Sequence, residues 1–178
     1  MNLIFSKIST SKIDTTYRKF LKFILGVSKS CPNHAIYGET GEIPISMKSY
    51  RLTLNFWHRV SNLPNTSLAK MALLENINLR TNWIKTIEKL INTLNLADKI
   101  ENHKIFKKAT KTALENGFQK WWETLHNGSG NSRLIFYMKI KSEFRMENYL
   151  KIPGVQLRRH ISKLRCSDHV LEIEKGDT

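Results

Sequence analysis

The feature that most constrains the fold is the spacing of apolar residues at helical intervals, interrupted by short polar runs rich in proline, glycine and asparagine. The clearest case lies in residues 81–95, where Ile84, Ile87, Ile91 and Leu94 form one stripe. Comparable stripes predict further helices over residues 11–25, 44–60, 66–76 and 103–125, and a last one after Gly154. In the first of these helices we expect Ile13 and Phe20 to face inward, with Arg18, Lys19 and Lys22 on a basic outer face. In the last we expect Leu157 and Leu164 to face inward. The sequence therefore predicts an all-α fold, an irregular bundle of six to eight helices.

Two segments are ambiguous. Residues 31–43 collect prolines and glycines, which predicts a loop that admits a short extended segment. Residues 133–144 contain the apolar run "LIFYMKI", which periodicity alone cannot assign to helix or strand. Four residues at helical spacing favour a helix there: Leu134, Tyr137, Lys141 and Phe144.

Length and patterning favour one intracellular domain. The 178 residues can form one well-buried core, so we expect a single helical domain over residues 1–178 with a flexible break near residues 126–132, "HNGSGNS". No run approaches the roughly 20 apolar residues of a membrane span, and the first residues do not resemble a secretory signal. The two cysteines then predict free thiols in the nucleus or cytoplasm, and we expect no membrane partner.

The charge balance is the most unusual property of the composition. Lys and Arg number 29 against 15 Asp and Glu, a formal net charge of +14. Residues 126–165 carry nine basic and two acidic side chains, and residues 1–30 carry six and one. Such a surplus indicates a polyanionic partner, chiefly nucleic acid or an anionic membrane face.

The basic C-terminal block supplies the candidate binding residues. They are cations spaced along residues 126–165 that can neutralise phosphates: Lys139, Lys141, Arg145, Arg158, Arg159, Lys163 and Arg165. Phe136, Tyr137 and Tyr149 can stack on bases if they are exposed. The alternative is that the charges form a solvated helix face and that the aromatic rings belong to the core.

The catalytic and metal-binding motifs that we considered argue against an enzyme. "CPNH" at 31–34 and "CSDH" at 166–169 share a Cys-x-x-His spacing that can in principle supply four zinc ligands, but each pair is common by chance. "GETGE" lacks the lysine of a phosphate-binding loop, and no Asp-x-Asp pair is present for metal-assisted phosphoryl transfer. We therefore expect no catalytic residues, no metal, no cofactor and no small-molecule substrate.

Several runs, in this order, resemble the region that follows the polymerase domain in reverse transcriptases of non-LTR retrotransposons. They are "KFLKFILGVSKSCPNHAIYGETGEIPI", "LNFWHRV", "LAKMALLEN", "FQKWWETLHN", "SRLIFYMKIKSEF" and "LRRHISKLRCSDHVLEIEKG". The resemblance covers nearly the whole chain, and its order of motifs is more specific than any one motif. In longer relatives the last run leads to a Cys/His cluster, and the position of Cys31 is commonly Thr.

The resemblance implies a C-terminal fragment of a reverse-transcriptase-like polyprotein, without the catalytic aspartates of the polymerase. It implies a non-catalytic basic module that holds template RNA or target DNA through phosphate contacts. Two alternatives stay open at this point: a scaffold piece that docks on a reverse transcriptase domain, or a degenerate product without function. The sequence does not distinguish RNA from DNA.

Overall fold

The computed structural model of the protein describes residues 11–128 and 132–168, and every regular element in that part of the chain is a helix. Eight α-helices occur there: α1 (Lys12–Leu25), α2 (Asn33–Thr40), α3 (Ile45–Ser61), α4 (Leu68–Asn78), α5 (Asn82–Thr93), α6 (His103–Gly128), α7 (Ser132–Ile140) and α8 (Val155–Arg165). Two short 3₁₀ helices are added at Ala97–Lys99 and Asn148–Lys151. The predicted all-α class is confirmed, and the helix favoured over residues 133–144 is confirmed as far as Ile140 but not for Lys141 and Phe144.

The extended segment expected near residues 31–43 is wrong, because α2 occupies most of it. Nearly every residue of this short helix is buried, so it has no polar face and gives no amphipathic pattern to detect. Gly38 lies in α2 where a Cβ atom would meet the Tyr137 hydroxyl and, at 2.9 Å, the ring of Trp122. The lack of a side chain at Gly38 therefore permits close packing of α2, and this glycine does not mark a turn.

The buried face of α1 differs from the predicted one. Ile13 and Phe20, expected inward, are 52% and 56% exposed, whereas Asp14 and Arg18 are buried. Arg18 donates a hydrogen bond to the Thr15 hydroxyl at 2.9 Å and lies beside the Tyr37 hydroxyl of α2. Polar contacts to α2 thus replace part of the expected apolar interface.

The last helix, α8, is also rotated from its predicted orientation. Leu157 and Leu164 were expected inward and are each 51% exposed, while Ser162 is fully buried. The Ser162 hydroxyl is 2.9 Å from the Tyr149 hydroxyl and donates to the Arg158 carbonyl oxygen at 2.9 Å. A hydrogen-bonded seam therefore anchors α8.

The chain divides into two compact units, each described by itself. The described part of the first unit is Ile45–Phe118. The described part of the second unit is residues 11–44, 119–128 and 132–168, so α6 contributes residues to both. Residues 129–131, the centre of the predicted flexible break, lie outside the described residues.

Each unit has its own buried core. The first unit buries apolar side chains of α3, α4, α5 and α6, including Leu54, Leu73, Ile87 and Phe106. The second unit is built around α2. Trp122 donates its indole N–H to the His34 carbonyl oxygen at 3.0 Å, and Tyr137 donates its hydroxyl to the Ala35 carbonyl oxygen at 3.3 Å. These bonds from α6 and α7 fix the position of α2.

No helix within residues 11–128 and 132–168 is both long enough and apolar enough to cross a bilayer.

Candidate nucleic-acid interface

Two of the seven predicted binding cations are held inside the second unit by carboxylates. Lys141 is 1% exposed, pairs with Glu147 and donates to the Arg145 carbonyl oxygen at 2.7 Å. Arg165 donates to both carboxylate oxygens of Glu39, at 2.9 and 3.1 Å. Lys141 is therefore enclosed, and the guanidinium of Arg165 is paired inside the fold.

The carboxylate of Glu39 is the centre of that network. It is fully buried in α2, and it accepts a third hydrogen bond from the Tyr149 hydroxyl at 2.6 Å. The same Arg165 guanidinium also approaches Glu147 at 3.4 Å. Burial, followed by the nearby charge of Glu39, raises the pKa of Tyr149 well above its usual range. Tyr149 therefore stays a hydrogen-bond donor, and the guanidinium of Arg165 lies 5.7 Å from the centre of its ring.

Three more predicted cations have partners but keep exposed surface. Arg145 pairs with Glu143 at 3.3 Å on the surface. Arg158 is half-buried and donates to the Leu150 carbonyl oxygen at 3.1 Å. Arg159 is half-buried, and its guanidinium lies 5.5 Å from the ring centre of Phe23 in α1. The remaining two cations, Lys139 and Lys163, are exposed.

The contact between Arg159 and Phe23 joins α8 to α1. Gly26, the residue after α1, has φ +69°, and a Cβ atom there would lie 2.5 to 2.9 Å from the side chain of Arg159. Glycine is therefore required twice, for the left-handed backbone and for this approach. The result places the base of the Arg159 side chain against the end of α1.

Beside this contact lies a basic cleft that the predicted site did not include. Its volume is about 460 Å³, and none of its lining residues is acidic. Those residues come from α1, the following loop and the start of α2: Thr15, Arg18, Lys19, Lys22, Phe23, Val27, Lys29 and Asn33. Phe23 is 70% exposed, so one face of an aromatic ring is open to solvent among cations. We call Lys19, Lys22, Phe23, Lys29, Arg159 and Lys163 the α1–α8 surface.

Lys22 orders the loop that borders this cleft. Its ammonium donates to the carbonyl oxygens of Lys29 and Cys31, at 2.8 and 2.5 Å. Burial lowers the pKa of Lys22 from its usual value. Asp168 is the acidic residue nearby, and its carboxylate accepts hydrogen bonds from the backbone N–H and the hydroxyl of Ser28. The loop is therefore tied both to α1 and to the end of α8.

Sequence reasoning identified the basic face of α1 but not the exposure of Phe23. The available signal was "RKFLKF", residues 18–23, in which cations and phenylalanines alternate within two turns. Of the aromatic residues proposed for stacking, Tyr137 is fully buried, whereas Phe136 is 48% exposed.

The two cysteines meet, but no metal site forms around them in the described residues. The thiols of Cys31 and Cys166 are both buried and hydrogen-bonded to each other. The ring of His34 is stacked on Trp122, with centroids 4.7 Å apart, so this histidine is a core residue rather than a solvated one. Within residues 11–128 and 132–168, no three His, Cys, Asp or Glu side chains are placed to hold a metal ion. His169 lies outside the described residues.

Comparison of the chain with protein-family models, with curated proteins and with solved structures gave no match. The resemblance to non-LTR reverse transcriptases therefore stays an expectation from the sequence.

Proposed function

We propose that the protein is a non-catalytic module that binds nucleic acid through phosphate contacts, as part of a reverse-transcriptase-like polyprotein of a retrotransposon. The observation that carries the proposal is the α1–α8 surface, where the exposed Lys19 and Lys29 line one cleft with the exposed ring of Phe23. The half-buried guanidinium of Arg159 lies over that ring, and the exposed Lys163 follows it by one turn of α8. Cations neutralise phosphates without reading sequence, and an aromatic ring stacks on a base of any identity. We expect binding that is strong at low salt and tolerant of sequence.

Of the seven predicted binding cations, the proposal assigns five to phosphate contact and two to the stability of the fold. Lys139, Arg145 and Lys163 have solvent-exposed charges, and Arg158 and Arg159 are half-buried. Lys141 and Arg165 are assigned to the stability of the fold, because each is paired with a carboxylate inside it.

The test is a salt titration of binding to a labelled single-stranded RNA and to a DNA duplex. The logarithm of the binding constant should fall with the logarithm of salt concentration, by about 0.7 to 0.9 for each phosphate contact. Changing Lys19, Lys29 and Lys163 together to Gln should reduce that slope by about 2 to 3.

The matched control changes three exposed lysines of the first unit, Lys85, Lys89 and Lys108, to Gln, which removes the same net charge. If both triple variants lose affinity equally, binding depends on net charge alone and the α1–α8 surface is not the site. A salt-independent affinity would contradict the whole proposal.

A second candidate function is docking on a reverse transcriptase domain, and the surface of α4 favours it. This helix and the residue after it expose apolar side chains by 41% to 82%: Leu68, Met71, Leu74, Ile77 and Leu79. Such a stripe is typical of a helix that packs on another protein. Changing Leu68 and Met71 to Ser should abolish binding to an added polymerase domain while leaving nucleic-acid affinity unchanged. If the polymerase domain does not bind the unaltered chain, this candidate is excluded.

A further inference from the structure

A second basic cleft lies in the first unit, between α3 and α6. Its volume is about 580 Å³, and its lining residues are Arg51, Leu52, Asn55, Phe56, Arg59, His103, Lys107 and Lys111. The polar members follow the i, i+4, i+8 rhythm on each helix, so each helix directs one stripe into the cleft. No acidic residue is among the lining residues.

The two stripes match the charge spacing of a nucleic-acid strand. Eight residues of α-helix rise about 12 Å, which is the length of each stripe. A stacked strand carries one phosphate per about 3.4 Å of axis, so about three phosphates fit along it. Four permanent cations line the cleft: Arg51, Arg59, Lys107 and Lys111. This supply of charge fits a short run of phosphates better than a single anion.

The orientation of His103 is fixed from inside the unit. His58 is 1% exposed, and its Nε2 lies 2.6 Å from the Ile100 carbonyl oxygen, which can only accept. The Nε2 of His58 is therefore the donor in that bond, and the Nδ1 atoms of His58 and His103 are 3.0 Å apart and hydrogen-bonded to each other. His103 is left with Nε2 for a ligand. His58 also stacks on buried Phe106, with centroids 4.4 Å apart, so the pair has a rigid base.

Two further groups suit a base rather than a phosphate. Phe56 is 49% exposed, and its ring lies 5.7 Å from the guanidinium of Arg59. Asn55 has a buried side-chain oxygen that no group in the described residues hydrogen-bonds. A nucleobase offers a flat face that stacks on the Phe56 ring and an N–H donor for the Asn55 oxygen.

We propose that the α3–α6 cleft binds a single-stranded nucleic-acid segment, with phosphates held by Arg51, Arg59, Lys107 and Lys111 and one base stacked on Phe56. This site belongs to the first unit and shares no residue with the α1–α8 surface. It therefore adds a second nucleic-acid site to the proposed function, and the variants below test it independently of the α1–α8 surface.

The test measures the affinity of the full chain for fluorescein-labelled octanucleotides, oligothymidylate and oligouridylate, at several salt concentrations. Changing Lys107 and Lys111 to Gln should lower the salt slope by about 1.4 to 2. Changing Phe56 to Leu should weaken binding by about fivefold or more, because a stacked base is lost while the net charge is kept. If the variants lose affinity for oligothymidylate, for oligouridylate or for both, the ligand is DNA, RNA or both, respectively.

The matched control changes Lys104 and Lys108, exposed lysines of the same helix that do not line the cleft, to Gln. All variants are also measured in a chain that carries the Lys19, Lys29 and Lys163 changes to Gln, so that failure of one site is separated from failure of the other. Circular dichroism verifies that each variant is folded.

Equal losses from the cleft pair and the control pair would overturn the proposal, as would unchanged affinity in the cleft pair. Loss in the cleft pair with unchanged affinity in Phe56→Leu would also overturn it, because the cleft would then be a general anion site. Loss in both cleft variants, with the control pair unaffected, supports it.

Discussion

Replacing Arg165 with Gln tests whether this cation stabilises the fold or binds nucleic acid. In the second unit its guanidinium forms a two-bond pair with Glu39, whose carboxylate has no solvent exposure. The change removes both bonds and leaves a buried carboxylate with Tyr149 as a hydrogen-bond donor. Breaking such a pair by removing one partner costs about 3–5 kcal/mol. That loss is a large part of the 5–15 kcal/mol that stabilises an ordinary domain.

The assay is urea unfolding followed by circular dichroism, with Lys163→Gln as the matched control. Lys163 lies two residues earlier on α8 and is exposed, so its change should alter the free energy of unfolding by no more than about 0.5 kcal/mol. The double variant Arg165→Gln with Glu39→Gln should recover part of the loss, because no charge is then buried alone. An unfolding midpoint of Arg165→Gln equal to that of Lys163→Gln would refute the reasoning.

Three further results are expected. Gly38→Ala should lower the unfolding temperature, because the added Cβ presses on the Tyr137 hydroxyl and overpacking costs about 1–3 kcal/mol; an unchanged temperature would contradict the close packing of α2. The hydrogen bond with Cys31, followed by burial, raises the pKa of Cys166 far above its usual range. Because both thiols are buried, iodoacetamide should modify them only after unfolding, and rapid labelling of the native protein would contradict this. Burial raises the pKa of Tyr37 to about 12, so the folded state binds the proton more tightly than the unfolded state. The contribution of Tyr37 to the free energy of unfolding is complete below pH 10 and is lost as the pH rises to about 12. Tyr37→Phe should flatten that decline in urea titrations at a series of pH values.

The helices could be predicted from the sequence wherever one face is apolar and the other polar. Residues 81–95 show this pattern, and α5 follows with Ile84 and Ile87 buried. The same rule failed for α2, because a helix buried on all sides carries no contrast between faces. It failed in part for α1, where the buried Arg18 contacts residues that are distant in the sequence.

The candidate site could be predicted only as a region. The surplus of cations in residues 126–165 is visible in the composition, but the partners of individual cations are not. Arg165 pairs with Glu39, which lies 126 positions earlier in the chain. Lys141 pairs with Glu147 only because the segment between them folds back after α7. Local charge patterns contain neither fact, so buried and exposed cations of residues 139–165 look alike in the sequence.

Internal pairing also explains how a chain with many acidic residues can present strongly basic clefts. Glu39 and Glu147 are used to neutralise Arg165 and Lys141 within the second unit. A carboxylate that is paired inside the fold cannot repel a phosphate at the surface, because its field is cancelled at short range. The clefts at α1 and between α3 and α6 are accordingly lined without acidic residues. The separation of paired from exposed cations, rather than the net charge, is therefore the property on which the proposed phosphate binding depends.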